Sequence, residues 1–183
     1  MRKTVFHIFT IADFNEEEEW LRNKHKNGWK LVKMTPPCFY TFEKCEPEDV
    51  VYRLDYKNSK RTEDYMMMLQ DFGWEYLAEC FGWLYFRKGA DSVASEQDAE
   101  LFSDNESRLE MVNHVVKTRF FPLCVLFLCC VLPGLTNTVL DGNGGIVGAC
   151  FSVAFGILFA IYVVLILYCG AKLRKMKKQI SKL

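Results

Sequence analysis

The sequence predicts an α+β domain built from two copies of a strand-helix-strand-strand unit, followed by a two-helix hairpin able to cross a membrane. Three observations carry this. Matching features recur 45 positions apart: Val5 and Val50 open strand-like runs, Gly28 and Gly73 follow helix-like ones, and Trp29 and Trp74 begin the next strands. Within each copy the apolar spacing passes from alternation to a helical period and back. Finally, no residue is charged from Phe120 to Leu140 or from Ile146 to Ala171.

In order along the chain, TVFHIFTI (Thr4 to Ile11) reads as the first strand. The basic MRK start and apolar run resemble a signal peptide, but Asp13 and an EEEE run follow with no small-residue cleavage site. A helix follows over NEEEEWLRNKHKNG, with Asn15 and Glu18 as a capping pair and Glu16 to Glu19 as a solvated first turn that complements the helix dipole. Gly28 closes it in a left-handed cap. WKLVKM and FYTFEK are two strands around a Thr-Pro-Pro turn. The second copy opens with VVYRLDY, where Val50, Tyr52, Leu54 and Tyr56 alternate with Val51, Arg53 and Asp55 as in a half-buried strand. A helix from about Thr62 places Tyr65, Met68, Leu69 and Phe72 on one face, and Gly73 stops it. WEYLAE and WLYFRK complete the copy. The two units are expected to share one antiparallel sheet with both helices on a single face, the tryptophans Trp20, Trp29, Trp74 and Trp83 serving as core.

The organisation that follows is a cytoplasmic domain over 1–89 and an acidic linker with a juxtamembrane helix over 90–118. A transmembrane hairpin occupies 119–171, with spans at about 120–140 and 146–171, and a basic tail 172–183. Ser103 and Glu106 form a capping box that opens the juxtamembrane helix, with Leu109, Val112 and Val116 on one stripe. At about 1.5 Å per residue both uncharged runs can cross a hydrocarbon layer roughly 30 Å thick. Pro133-Gly134 is expected to kink the first. Lys117 and Arg119 before the spans and Lys172, Arg174, Lys175, Lys177, Lys178 and Lys182 after them put both flanks in the cytoplasm and the DGNGG hairpin outside. The expected location is the cell membrane, multi-pass, with both termini cytoplasmic.

Twenty-three basic and 23 acidic residues cancel overall, but the first 118 residues carry an excess of six acids and residues 172–183 six bases and no acid. An acidic domain does not suit nucleic acid, whereas the tail suits anionic headgroups as well as setting topology. The eight cysteines show no paired spacing and read as reduced. His7, His25 and His114 lie far apart and form no metal motif, no glycine-rich phosphate loop precedes a helix, and no nucleophile-base pair has a third group to orient it. No cofactor and no enzymatic activity are expected.

The runs GWKLVK, FYTFEK, VVYRLDY, EDYMMMLQDFGWEYL, GWLYFRK and ELFSDNESRLEM resemble the DUF2812 family of bacterial membrane-associated proteins, over roughly Phe9 to Val116. The resemblance implies a cytoplasmic domain with membrane helices and a regulatory setting, since such genes are typical of Firmicutes and often sit beside regulators of the PadR type. It implies no catalytic residue. The expected function is a membrane-anchored, non-enzymatic sensor or adaptor, with an accessory subunit of a transport or efflux complex as the alternative. Gly148, Ala149, Ser152 and Gly156 favour the alternative because they permit close helix packing with a protein partner or a second copy. Duplicated units of this kind are also the plan of GyrI-like domains, whose cleft between halves binds drug-like cations. By that architectural analogy Trp29, Trp74, Tyr40 and Tyr85 are candidate ligands for a small hydrophobic cation. The same four residues also read simply as core.

Overall fold

Six strands form two antiparallel three-stranded sheets of identical plan in the computed structural model, which describes residues 1–56, 63–93, 97–101, 105–140 and 145–181. The first repeat supplies β1 (Arg2–Phe6), α1 (Phe14–Lys26), β2 (Trp29–Thr35) and β3 (Phe39–Lys44); the second supplies β4 (Val50–Tyr56), α2 (Glu63–Asp71), β5 (Glu75–Cys80) and β6 (Trp83–Gly89). The sheet orders are β1-β3-β2 and β4-β6-β5. Both carry a register shift at the same place, between Leu31 and Lys33 and between Tyr76 and Ala78. A shared bulge 45 positions apart shows that the backbone plan itself is duplicated.

The α+β class and the repeat are as the sequence predicts, but the strands do not merge into one sheet. Strand alternation puts Val51 and Tyr52 on opposite faces of β4. Leu69 of α2 clusters with Val51, Leu84 and Phe86, whereas His25 of α1 meets Tyr52 and Phe14 of α1 packs on Trp83. The helices therefore cover opposite faces of the second sheet. Trp20 of α1 packs edge-on against Tyr40 and Phe42 of the first sheet at 4.9 and 5.5 Å. α1 thus lies between the inner faces of the two sheets, which meet each other directly where β2 lies against β5, and α2 covers the outer face of the second sheet.

This layering explains burial that alternation alone misreads. β3 has one face covered and alternates, while β4 is buried at every position except Arg53 because helices cover both its faces. α1 lies between sheets, so Leu21 is completely buried, and Glu17, Glu18 and His25 are buried with it. Each fully buried apolar side chain of this size contributes about 1.5–3 kcal/mol. α2 has only one covered face: Leu69 is buried and Tyr65 and Met66 partly so, but Met68 and Phe72 are 45% and 65% exposed. Of the four tryptophans only Trp74 is fully in the core.

Local details depart from expectation for identifiable reasons. β1 ends at Phe6 because His7 turns to stack on Trp20, with ring centres 4.8 Å apart, and Asp13 then accepts both the Thr10 N–H and hydroxyl. Asp13, not Asn15, is the residue before α1. Gly28 and Gly73 adopt φ of +78° and +83°, the left-handed region that glycine enters without steric cost. Ser103 lies outside the described residues, as do Thr62, Asp141 to Gly144 and Lys182.

The chain divides into two compact units, Met1–Met111 and Val112–Leu183. The first unit takes in most of α3 (Asn105–Val115); in the second, a helix runs unbroken from Val112 through α4 (Phe121–Leu126) to α5 (Leu132–Leu140), with π turns at Val116–Phe120 and Phe127–Val131. Pro122 and Pro133 each follow a π turn. Each proline lacks the N–H that would bond four residues back, and the wider turn accommodates its ring. α6 (Gly145–Ile180) packs antiparallel on this helix. Gly134, Phe127 and Phe120, seven residues apart, meet Phe155, Tyr162 and Gly170 in turn. Both helices are long and apolar enough to cross a membrane. α6 continues through the basic segment, so Lys172, Arg174, Lys175, Lys177 and Lys178 occupy its last turns.

Candidate functional site

The first unit contains a cleft of about 340 Å³ at the join of the two repeats. Its walls come from the end of α1 (His25), β2 (Lys30), the connection between repeats (Cys45, Glu46, Glu48), Gly73 after α2, Glu75 on β5, and Arg87 and Lys88 on β6. The second repeat places Arg87 rigidly. It lies opposite Glu75 across the β5–β6 ladder, and the two form a bidentate pair at 2.7 and 2.8 Å. The Nη1 of Arg87 is sealed from solvent, and its charge sits beside the Tyr52 hydroxyl.

Tyr52 also connects the repeats. Its hydroxyl lies 2.8 Å from His25 Nδ1 and accepts the Leu31 N–H at 3.4 Å. A hydroxyl that donates its proton to Nδ1 goes with a neutral histidine carrying its own proton on Nε2. Burial and the nearby Arg87 charge both hold the His25 pKa below its ordinary value. The lining then carries three cations (Lys30, Arg87, Lys88) against three carboxylates (Glu46, Glu48, Glu75) around a neutral imidazole. Such a surface can hold a small molecule that bears both signs of charge.

Behind this cleft lies a buried acidic layer on α1. Glu17 Oε1 accepts the hydroxyls of Tyr40 and Tyr85, each at 2.7 Å, and so joins the first sheet to the second. Burial raises the Glu17 pKa, and the two tyrosine hydrogen bonds oppose that shift. Glu18 accepts the Leu54 N–H at 2.7 Å, satisfying a donor on the outer edge of β4. Burial pushes its pKa up to about 8, against the pull of Arg53. Arg53 bridges Glu18 at 3.3 Å and Glu100 at 3.0 Å, and Glu100 reaches Arg108 of α3 at 3.6 Å. A polar chain therefore runs within the first unit from Glu18 on α1 through Arg53 and Glu100 to Arg108 on α3.

The four residues proposed from sequence are dispersed. Tyr40 and Tyr85 come together on Glu17, Trp74 is buried with Leu69 and Phe86, and Trp29 lies on β2 under the Lys3 ammonium, 3.5 Å from its ring centre. None of them lines the cleft. The EEEE run is solvated only at Glu16 and Glu19: Glu17 and Glu18 share one buried stripe with Phe14, Leu21 and His25. That spacing of three, four and seven was present in the sequence and would have placed both carboxylates inward. Nothing in the sequence pairs Glu75 with Arg87, since their meeting depends on the β5–β6 register. No group of three metal-ligating side chains occurs among the described residues.

Neither curated proteins nor solved structures gave a match to this chain. A family model described as a protein of unknown function, DUF2812, matches residues 13–125. The match begins at the turn into α1, takes in every wall of the cleft and the Glu18-Arg53-Glu100-Arg108 chain, and ends inside the first long apolar helix. Cleft, polar chain and the start of that helix thus fall in one family unit, and the chain belongs to the DUF2812 family.

Proposed function

We propose that the protein is a membrane-anchored sensor or adaptor, not an enzyme, whose first unit takes up a small zwitterionic molecule in the cleft between its repeats. The observation that carries this reading is the charge-balanced lining: a ligand carboxylate would meet Lys30, and its ammonium would meet Glu46 and Glu48. The volume falls in the ordinary range for small-molecule sites. Among the described residues no tryptophan, tyrosine or phenylalanine lines the cleft, which favours a zwitterion over a hydrophobic cation. The two apolar helices support a cell-membrane location, and the basic residues beside them support cytoplasmic flanks with the hairpin outside. A bacterial setting beside PadR-type regulators, implied by the family resemblance, suits a sensor. The test uses full-length protein in lipid nanodiscs, titrated with free amino acids up to about 1 mM while tryptophan emission is followed. A saturating response lost in Lys30→Met is expected. No response to any amino acid, or turnover of a metabolite abolished by one substitution, would overturn the reading.

One observation favours the accessory-subunit reading. A side chain added at Gly148 or Gly156 of α6 would meet nothing within 4 Å among the described residues, and Ser152 lies midway between them. This small-residue face is open to another helix. Detergent-solubilised pull-downs that return only this chain would count against it.

A further inference from the structure

The second unit contains a larger cavity, about 590 Å³, between its two apolar helices at the basic end of α6. Phe120 and Cys124 form one wall and Ile166 and Gly170 the other, while Arg174 and Lys177 stand at one end. We propose that this groove is a binding site for one anionic phospholipid, an inference that rests on the membrane location proposed above.

The groove has a local cause. Phe120 closes the π turn Val116–Phe120, where the helix is wider, and its ring lies over Gly170, where an added Cβ would come within 3.2 Å of it. Gly170 and Ala171 present little side-chain volume on the opposite wall, so a gap opens between the helices beside that contact. The walls from Ile166 to Gly170 are apolar. Arg174 and Lys177, three residues apart and hence on one face of α6, lie about 6 and 10 Å further along the axis. Acyl chain and headgroup phosphate would meet matching surfaces in that order.

The charge is uncompensated. Asp141 is the sole acid from Val112 to Leu183, and in the sequence it stands 33 residues before Arg174. Neither Arg174 nor Lys177 has an ion-pair partner among the described residues, whereas Lys172 is turned aside to donate to the Tyr168 hydroxyl. A soluble anion would match the cations but leave the apolar walls in water. A phospholipid with a net negative headgroup matches both parts.

The experiment compares two double variants of equal charge in the full-length chain. Arg174→Gln with Lys177→Gln removes the cations of the groove; Lys175→Gln with Lys178→Gln removes two tail cations outside its lining. Each protein is extracted, delipidated in detergent and exposed to phosphatidylglycerol and phosphatidylcholine of identical acyl chains, and retained lipid is counted by native mass spectrometry. The unaltered chain should retain phosphatidylglycerol in preference, the first variant should lose roughly tenfold or more of that preference, and the second should keep it. Equal loss in both variants would show a diffuse surface effect and overturn the site, as would an unaltered chain with no preference. Membrane fractionation separates the two readings: a chain stripped from membranes by alkaline wash refutes the membrane location, while one that stays but shows no lipid preference refutes only the groove.

Discussion

The two repeats share a backbone and differ in what their helices cover. Sheet order, bulge position and left-handed glycine are duplicated, and in both copies one helix face packs on the repeat's own sheet: Trp20 on Tyr40 and Phe42 in the first, Leu69 on Leu84 and Phe86 in the second. α1 has a second duty. Its other face, bearing Glu17, Glu18, Leu21 and His25, packs on the back of the second sheet, and this is where the chain places its buried charge. The outer face of α2 carries Met67, Met68 and Phe72 and meets nothing equivalent. Duplication supplied the scaffold, and the asymmetry of stacking one copy on the other created both the cleft and the acidic layer.

The largest expected effect tests the sandwich. Leu21→Ala and Leu69→Ala delete the same atoms, and each should destabilise by about 2–5 kcal/mol, with Leu21 toward the upper end because it is enclosed by sheets on both sides. All four tryptophans lie in the first unit, so denaturant unfolding of the full chain followed by tryptophan fluorescence reads this unit alone. A smaller loss for Leu21 than for Leu69 would contradict the layer order.

Next come the two glycines. Gly28→Val and Gly73→Val should each cost about 1 kcal/mol or more, since valine strongly resists positive φ. The losses should differ. A Cβ at residue 28 would lie 3.0 Å from the Cys45 carbonyl oxygen, while at residue 73 the nearest atom is the mobile end of Lys88 at 3.6 Å. Equal melting temperatures for the two variants would show that the chain relaxes around residue 28.

These glycines also mark how far the sequence could be read. Element types, the repeat and the helix ends follow from local chemistry: periodicity, a residue that tolerates positive φ, and tryptophan after it. The stacking of the copies does not, because it depends on which face of β4 each helix finds, and a strand buried on both faces looks locally like one buried on a single face when its other side holds Arg53 and Asp55. The site was lost for the same reason. Glu75 and Arg87 meet through strand register, and Glu46 and Glu48 reach the cleft from a connecting segment whose path is set by the packing of the repeats. Trp74, Tyr40 and Tyr85 are conspicuous in the sequence because they build the interior, and Trp29 because it carries the Lys3 ammonium.

The acidic layer gives a third, intermediate effect. Glu18 in the folded chain holds its proton up to about pH 8, whereas an unburied glutamate releases it near 4.5. Between those values the folded state binds a proton that the unfolded state has lost, so stability must fall as pH rises through that window and level off above it. Glu17 is shifted in the same direction. Glu18→Gln retains an acceptor for the Leu54 N–H and removes one titration. Melting curves from pH 5 to 9 should fall less steeply for the variant than for the unaltered chain. Parallel curves would mean that Arg53 keeps Glu18 ionised throughout.

The smallest expected effect concerns the face of α2 for which the comparison finds no counterpart. Phe72 is 65% exposed and Met67 56%, so in an isolated chain Phe72→Ser removes little buried surface and should change stability by no more than about 0.5 kcal/mol. Leu69, three residues earlier on the covered face, serves as the internal control because its truncation must cost several times more. The measurement is the unfolding midpoint of full-length Phe72→Ser at two protein concentrations about a hundredfold apart. An unchanged midpoint at both would leave α2 as a one-sided cover for the second sheet. A loss above about 1 kcal/mol that appears only at the higher concentration would show that this apolar face is buried in an assembly, since association stabilises by mass action and the substitution would remove that contribution. The second helix would then resemble the first after all, with its free face covered by another molecule instead of by the other repeat.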